Sequence, residues 1–187
     1  KTLRLKFQNE EEGKEFEFKA GNFAEYSAFG EGECTFCIAS APTRKGYIEC
    51  TFRKAGRVTS GLDRLEEGMT MGVRAPLGNS FPIEDWKGKN LVFVAGGIAL
   101  PPMRAVIDNV LDRRDEFGDV TIVYGAKTVN DLVYKDELKE WDERPDVNLF
   151  ATVDPGGETP DWKCKVGFTP NVLGEVAPSS ENAVAIV

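Results

Sequence analysis

The chain has 187 residues, of which 41% are hydrophobic and 29% charged, and these proportions exclude a disordered or fibrous protein. Its net charge of −8 disfavours nucleic acid and anionic membrane surfaces as partners, because like charges repel. The longest stretch without charged or strongly polar side chains, Leu91 to Met103, is shorter than the roughly 20 residues of a membrane span. We therefore expect a folded protein without a transmembrane segment.

Histidine is absent, and the four cysteines stand at positions 34, 37, 50 and 164. Without an imidazole, a serine triad, a Cys-His dyad and most catalytic zinc sites are excluded. Four cysteines are too few for a disulfide scaffold, and the chain shows no signal-peptide pattern, so we expect free thiols in a cytoplasmic protein. Acid and base catalysis is not the chemistry that this composition indicates.

The first part of the chain, up to about Pro82, has the period-two pattern of half-buried strands. Hydrophobic residues alternate over 3–7, at 16 and 18, and over 48–52, and glycines recur at the spacing typical of an antiparallel barrel or sandwich. Ser60 followed by Asp63 predicts one short helix through a capping box. The acidic run Glu10 to Glu12 is expected to be a solvated face.

From about Asn90 strands alternate with helices, which predicts a parallel sheet of βαβ units covered on both faces. The segment 81–89 reads as a linker, and we divide the chain into domains 1–86 and 87–187. The predicted strands are 91–95, 120–124, 147–153 and 182–187, and the predicted helices run from about 101 to near 118, from 131 to 144 and from 171 to 176.

Both ends of the sequence lack the loops that normally flank a domain. The first residues already alternate as a strand with no Met before them, and the last six form a strand of the buried type. We therefore expect a longer protein, with the first strand of the N-terminal domain and the C-terminal part of the second domain outside this sequence.

The segment Val94 to Ile107 carries the strongest chemical signal. A buried strand runs into Gly96 and Gly97 and then into a helix with two prolines in its first turn. The free N–H groups and the dipole of such a helix favour a pyrophosphate at the carboxyl end of the strand. An ordinary strand-to-helix turn is the alternative, and the position on the first strand of a parallel sheet favours the phosphate site.

Two weaker patterns lie in the N-terminal half. Thr51 to Leu62 fits a second anion site at a helix start, although Thr59 and Ser60 are also common helix caps. Cys34 and Cys37 form a lone Cys-x-x-Cys in strand context, without the second pair of ligands that a metal needs or the helix start of a redox pair. We expect these cysteines to be small hydrophobic residues.

A small antiparallel barrel with TFCIASAP and GRVTS, followed by APLGNSFP, VAGGIALPP, YGAKT and ATVD, resembles the ferredoxin–NADP reductase superfamily. The order of these motifs matches over essentially the whole chain. Within the superfamily the chain is most similar to the FAD- and NAD(P)H-binding subunits of cytosolic nickel–iron hydrogenase, anaerobic sulfite reductase and dihydroorotate dehydrogenase. The resemblance implies a flavin-binding antiparallel β-barrel followed by a Rossmann-like α/β domain.

The resemblance also implies the site residues. The flavin ring and ribityl chain would be lined by Phe36, Cys37, Ile38 and Ala39, and the FAD pyrophosphate would be held by Gly56, Val58, Thr59 and Ser60. NAD(H) or NADP(H) would lie against Gly96, Gly97, Ile98 and Leu100, with Tyr124, Gly125, Ala126 and Lys127 near its adenosine end and Asp154 at the end of the third strand. No residue is assigned as a catalytic acid or base, and no metal site is expected within 1–187.

The chain departs from the family pattern in three places. Residues 34–37 read CTFC where many relatives have Arg-x-Tyr-Ser, so the arginine partner of the FAD phosphate and the tyrosine hydroxyl are missing. Ala99 replaces a glycine. Relatives continue beyond the position of Val187 with a Cys-Gly-Pro segment, and this branch adds a cysteine-rich tail with a [2Fe–2S] cluster, which we expect outside the present sequence.

The function implied is that of a diaphorase subunit, which passes electrons between a nicotinamide dinucleotide and an iron–sulfur partner in a complex with catalytic subunits. Flavin chemistry of this kind needs no histidine. A stand-alone ferredoxin or flavodoxin reductase is an alternative, disfavoured by the acidic charge, since such enzymes meet acidic carriers through a basic face. A dinucleotide-binding regulatory module without turnover is another. NADH and NADPH both stay open, because Lys127 could meet a 2′-phosphate or be solvated.

Overall fold

The computed structural model describes all 187 residues and divides them between two compact units. The N-terminal unit consists of Lys1–Phe81 and Pro101–Asp112, and the C-terminal unit consists of Pro82–Leu100 and Arg113–Val187. The two units differ from the proposed division at residue 86 mainly because residues 101–112 group with the N-terminal residues. None of the helices is both long and apolar enough to cross a bilayer.

The N-terminal unit contains two antiparallel sheets. One pairs β1 with β4, and the other has the order β3-β2-β5. The elements are β1 (Thr2–Lys6), α1 (Glu10–Glu15), β2 (Phe23–Ala28), β3 (Gly32–Cys37), β4 (Tyr47–Thr51), α2 (Arg57–Asp63), β5 (Gly72–Leu77) and, from Pro101 onward, α3 (Leu100–Leu111). Its core includes Tyr26, Phe52 and Leu62, and the ring of Phe36 lies 5.7 Å from that of Phe52.

The C-terminal unit is a five-stranded parallel sheet with the order β10-β6-β7-β8-β9. The elements are β6 (Asn90–Gly96), β7 (Val120–Ala126), α4 (Lys135–Asp142), β8 (Asn148–Val153), β9 (Lys165–Val166), α5 (Thr169–Val176) and β10 (Ala183–Ile186). Antiparallel strands followed by a parallel sheet are the predicted fold class, which is confirmed. The two-residue strand β9 has no counterpart in the prediction.

Several predicted elements of the N-terminal unit are wrong in detail. No strand forms at residues 16 and 18, because the preceding acidic run forms helix α1. Asn9 caps this helix by accepting from the Glu11 N–H. Three glutamates in its first turn stabilise it further through the positive end of the helix dipole. The short helix α2 begins at Arg57 and not at Ser60, because the Thr59 hydroxyl accepts from the Gly56 N–H and defines an earlier start.

The helices of the C-terminal half are also shorter than predicted at three ends. Helix α3 ends at Leu111, and a separate 3₁₀ turn follows at Arg114–Glu116. Helix α4 begins at Lys135 because Tyr134 has a left-handed backbone with φ of 54°, which no helix can continue through. The segment 129–131 before it is a 3₁₀ turn.

A buried ion-pair network links α3 to the sheets of the N-terminal unit. The Arg104 side chain is 5% exposed, and its Nη1 donates to the Glu49 carboxylate and, at 2.9 Å, to the Ala39 carbonyl. The Arg4 Nε donates to the other oxygen of Glu49 at 2.8 Å. Burial acts to raise the pKa of Glu49, but the hydrogen bonds and charges of the two arginines outweigh it and lower the pKa below 4.5.

A close packing contact joins α5 to β7. A Cβ placed on Gly125 would lie 1.9 Å from the Thr169 Oγ1, so only glycine allows this approach. Gly174, in the middle of α5, has no atom within 4 Å of such a Cβ. The two glycines therefore differ in what a methyl group would meet.

We expect Gly125→Ala to lower the free energy of unfolding by about 1–3 kcal/mol through overpacking. Gly174→Ala should stay within about 1 kcal/mol of wild type, because alanine is the better helix former. Urea unfolding followed by circular dichroism measures both. Adding Thr169→Ala to Gly125→Ala should recover most of the loss, and a double variant no better than Gly125→Ala would contradict this contact.

The Glu49 carboxylate should contribute stability that depends on acid. Because its folded pKa lies below 4.5, its contribution is complete above that pH and is lost as the pH falls through the folded value. Glu49→Gln should cost about 3 kcal/mol at pH 7, since it leaves buried Arg104 without its counter-ion. Denaturant unfolding from pH 7 to pH 3 measures the difference in free energy of unfolding between wild type and Glu49→Gln. This difference should become smaller only below about pH 4.5. A difference that is constant over this range would reject the assignment.

Candidate functional site

The loop after β6 presents its backbone to open space. Gly96 is exposed, and Gly97 has a φ of 53°, in the left-handed region where glycine carries no Cβ penalty. A Cβ on either glycine would meet no atom within 4 Å. The Ile98 side chain is 53% exposed, whereas Leu100 is fully buried and fixes the start of α3. The loop therefore leaves room for a ligand directly against its main chain.

Tyr124 supports this loop from inside the C-terminal unit. Its side chain is fully buried, and its hydroxyl donates to the Gly97 carbonyl at 3.0 Å and accepts from the Val133 N–H at 3.2 Å. Burial raises the pKa of this phenol, so it stays protonated as a donor. Tyr124 therefore acts on the site through Gly97, a role that the resemblance did not indicate.

The carboxyl ends of the three central strands bring the other predicted residues of the dinucleotide site together. Gly96 pairs with Gly125, and Ala126 pairs with Val153, which precedes Asp154. The Asp154 N–H donates to the Ala126 carbonyl at 3.0 Å. Lys127 is exposed at the same edge, whereas Gly125 and Ala126 are buried. The close contact with Thr169 is by itself enough to explain why residue 125 is glycine.

The segment predicted to line the flavin ring lies at the end of β3. Phe36 and Cys37 are half-buried, whereas Ile38 and Ala39 are almost completely buried. The Ile38 N–H donates to the Asn22 carbonyl at 3.0 Å, and the Ala39 N–H donates to the Glu49 carbonyl at 2.8 Å. The backbone of this segment is therefore held from both sides before any ligand is added.

The first turn of α2 carries the residues predicted to hold the FAD pyrophosphate. Its N-cap is Gly56, which has no side chain to accept from the first amides, and a Cβ there would meet no atom within 4 Å. The Thr59 hydroxyl accepts from the N–H groups of Ala55 and Gly56, both at 2.9 Å. Thr59 thus shapes the turn, and the half-buried Ser60 is the hydroxyl residue left to face a ligand.

Sequence reasoning missed Arg104, Glu49 and Asn22, which hold the flavin-lining segment. A signal for Arg104 was present, because a charge at 104 and another at 108 interrupt the apolar face of α3 at a spacing of four residues. Nothing in the sequence pointed to Asn22. Its side chain accepts from the Lys19 N–H at 2.8 Å and donates to the Gly78 carbonyl at 3.2 Å, so its role depends on chain segments far apart.

The comparisons with known proteins agree with this geometry. The chain is 33% identical over all 187 of its residues to sulfhydrogenase 1 subunit gamma of Pyrococcus furiosus, of which it spans 64%. It is 34% identical over 138 residues, 74% of its length, to sulfhydrogenase 2 subunit gamma of the same organism, of which it spans 47%. A ferredoxin NADP+ reductase from Neisseria gonorrhoeae, with bound FAD and NADP, superposes with a TM-score of 0.73 over 98% of this chain and 76% of that one, at 16% identity.

The fold is therefore that of the ferredoxin–NADP reductase class, as the resemblance predicted. Within this class the chain belongs to the oxidoreductase NAD-binding domain family, whose profile matches residues 93–187. The matched region begins in β6 and so includes the glycine loop and the carboxyl ends of β7 and β8. The chain spans less than two thirds of the length of the two sulfhydrogenase relatives.

The four cysteines are free thiols in different surroundings. Burial raises the pKa of Cys37 to about 11 and raises the pKa of Cys50 further, with the neighbouring thiols adding to the shift at Cys50. Burial also raises the pKa of Cys34 and Cys164, but only Cys164 is exposed. A redox pair needs a lowered thiol pKa, so the environment of Cys34 and Cys37 indicates packing residues.

We expect one thiol to react fast with Ellman's reagent at pH 8, and that thiol to be Cys164. Cys37 and Cys50 should react only after unfolding, because little thiolate forms and access is blocked. The Cys164→Ser variant should lose the fast phase. Fast reaction of two further thiols in that variant would restore the redox interpretation of the Cys-x-x-Cys.

Proposed function

We propose that this protein is an FAD-containing NAD(P)H oxidoreductase, a diaphorase subunit of a multisubunit redox complex. The observation that carries the proposal is the open space in front of Gly96 and Gly97, at the start of a helix within the NAD-binding family match. Gly56, which also has open space in front of it, lies in the N-terminal unit at the segment expected to hold the flavin nucleotide.

The dinucleotide would bind along the carboxyl edge of the parallel sheet. Gly96 and Gly97 let its pyrophosphate approach the main chain, and the start of the twelve-residue helix α3 offers the positive end of a dipole. Ile98 supplies an exposed apolar contact. Lys127 and Asp154 lie where β7 and β8 end, at the side proposed for the adenosine, and give that side one charge of each sign.

The flavin nucleotide would bind in the N-terminal unit. Phe36 and Cys37 offer the half-buried, largely apolar surface that a ring system needs, on a backbone held by neighbouring segments. The uncapped first turn of α2 fits a pyrophosphate next to Val58 and Ser60. This turn offers backbone donors in place of the arginine and tyrosine that are missing at positions 34 and 36.

When bound, FAD would supply the conversion between hydride transfer and one-electron transfer. The chain's own contribution is binding, orientation and the exclusion of water. The two proposed sites contain no histidine and no acid or base assigned to proton transfer, in keeping with a reaction whose chemistry belongs to the cofactor.

The partners are proposed on the same basis. Two relatives are named as gamma subunits of sulfhydrogenases, which supports a place beside iron–sulfur and catalytic subunits in a cytoplasmic complex. No group of three or more cysteine, aspartate or glutamate side chains in the chain could hold a metal ion. The [2Fe–2S] cluster is proposed for a cysteine-rich segment other than these 187 residues, on the resemblance alone, and iron and sulfide analysis of the full-length protein tests it.

The deciding experiment is the absorption spectrum of the full-length protein, purified anaerobically, before and after NADH and then NADPH. We expect flavin bands that one of the nucleotides bleaches, which would also identify the nucleotide. A protein that stays colourless after incubation with FAD would reject the diaphorase function. A melting temperature that nevertheless rises with NADH would then favour the regulatory module.

The open space at Gly96 gives a direct test of the dinucleotide site. Gly96→Val should raise the KM for the nucleotide roughly tenfold or more, because its branched side chain occupies the place of a ligand. Its melting temperature should stay close to wild type, since the added Cβ meets no protein atom. Steady-state diaphorase kinetics and thermal unfolding measure the two effects, and an unchanged KM would place the nucleotide elsewhere.

The flavin site is tested by Ser60→Ala with Thr59→Ala beside it. Loss of the Ser60 hydroxyl should weaken FAD binding roughly fivefold to tenfold at unchanged stability, the expected cost of one hydrogen bond. Thr59→Ala, unlike Ser60→Ala, should lower the melting temperature, because the Thr59 hydroxyl accepts from two N–H groups of the chain. Titration of flavin-free protein with FAD measures the affinities, and unchanged affinity in Ser60→Ala would count against this placement.

A further inference from the structure

Arg104 is a buried cation that contacts the segment proposed to line the flavin. Its side chain is 5% exposed, and it reaches across 65 positions of sequence to the Ala39 carbonyl at 2.9 Å. The same nitrogen, Nη1, donates to the buried carboxylate of Glu49. Both protons of one terminal nitrogen are thus used, and their directions are set by the planar guanidinium.

The partners of Arg104 are themselves joined to that segment. The Ala39 N–H donates to the Glu49 carbonyl at 2.8 Å, and the Glu49 N–H donates to the Ser40 Oγ at 3.1 Å. Arg104 therefore closes a ring of hydrogen bonds that fixes both polar atoms of the Ala39 backbone. The methyl side chain of Ala39 makes no hydrogen bond, so the carbonyl direction depends on this ring.

The free-energy cost of burying these charged groups also indicates a positioning role. A buried ion pair seldom adds net stability over a well-packed apolar pair, so stability alone does not account for burying Arg104 and Glu49. Arg44, in the loop between β3 and β4, offers a comparison, since it pairs with Asp108 of α3 at 2.9 Å and with Asp112, just after α3, at 3.0 Å. Arg44 is 38% exposed and contacts no residue of the flavin-lining segment, so it attaches the helix without holding Ala39.

We infer that Arg104 is a positioning residue, which holds the Ala39 carbonyl and the flavin-lining segment in the orientation that the cofactor requires. The inference rests on the proposed function for the identity of the cofactor, but the contact that it concerns exists in the flavin-free chain. Arg104 and Ala39 both belong to the N-terminal unit, so the contact lies within one unit.

The test compares Arg104→Gln with Arg44→Gln. Both variants remove a cation from ion pairs of α3, but only the first removes a contact with Ala39. In flavin-free protein, the amide exchange of Ala39, measured by NMR, should become at least about tenfold faster in Arg104→Gln and stay unchanged in Arg44→Gln. If Arg104→Gln does not fold, Arg104→Lys keeps the charge and loses the planar fork, and the same exchange difference is expected.

The protein with bound FAD provides the second measurement. Arg104→Gln should bind FAD roughly tenfold more weakly, shift the flavin absorption band and lower kcat at unchanged KM for the nucleotide, whereas Arg44→Gln should do none of these. Exchange and flavin properties that match Arg44→Gln would overturn the inference. A wild-type protein that binds no FAD would instead reject the proposed function, and the exchange data alone would then decide whether Arg104 holds Ala39.

Discussion

The contact between the Arg104 guanidinium and the Ala39 carbonyl is the constraint that ties helix α3 to the sheets of the N-terminal unit. A buried cation must find partners, and Arg104 finds them in Glu49 and in a main-chain oxygen 65 positions away. This requirement brings α3 against β4 and against the end of β3. Arg4 from β1 completes the charge balance of Glu49, so β1, β4 and α3 meet at one carboxylate.

A second constraint of the same kind operates in the C-terminal unit, with a neutral group. The buried hydroxyl of Tyr124 pairs with the Gly97 carbonyl and the Val133 N–H. The glycine loop is thus held from beneath while its outer surface stays open, which is what a nucleotide site needs before any ligand arrives. In both units a buried polar side chain orients a main-chain atom of the proposed site, and the surface offered to the ligand is largely backbone.

The short-range patterns of the sequence were the reliable guides. Period-two alternation located β1 and β4, and the strand-helix alternation located β6, β7, β8 and the helices that follow them. The predictions failed where one residue changes the local backbone. Tyr134, in a left-handed conformation, delays α4, and Asn9 caps the acidic run, for which only a solvated face was predicted, as helix α1. The sequence alone does not tell whether such a local backbone effect is offset by contacts with neighbouring residues.

The sequence by itself determined the fold class and the position of the glycine loop, because strand period and glycine placement are local properties of the chain, and its motifs carried the resemblance to the family. Only the tertiary structure decided what holds the proposed sites in place. Arg104 reads in the sequence as one charge on an apolar helix, and the resemblance places Tyr124 only near the adenosine end of the nucleotide. Their roles depend on hydrogen bonds across 65 and 27 positions of sequence, and such distances close only when the chain folds.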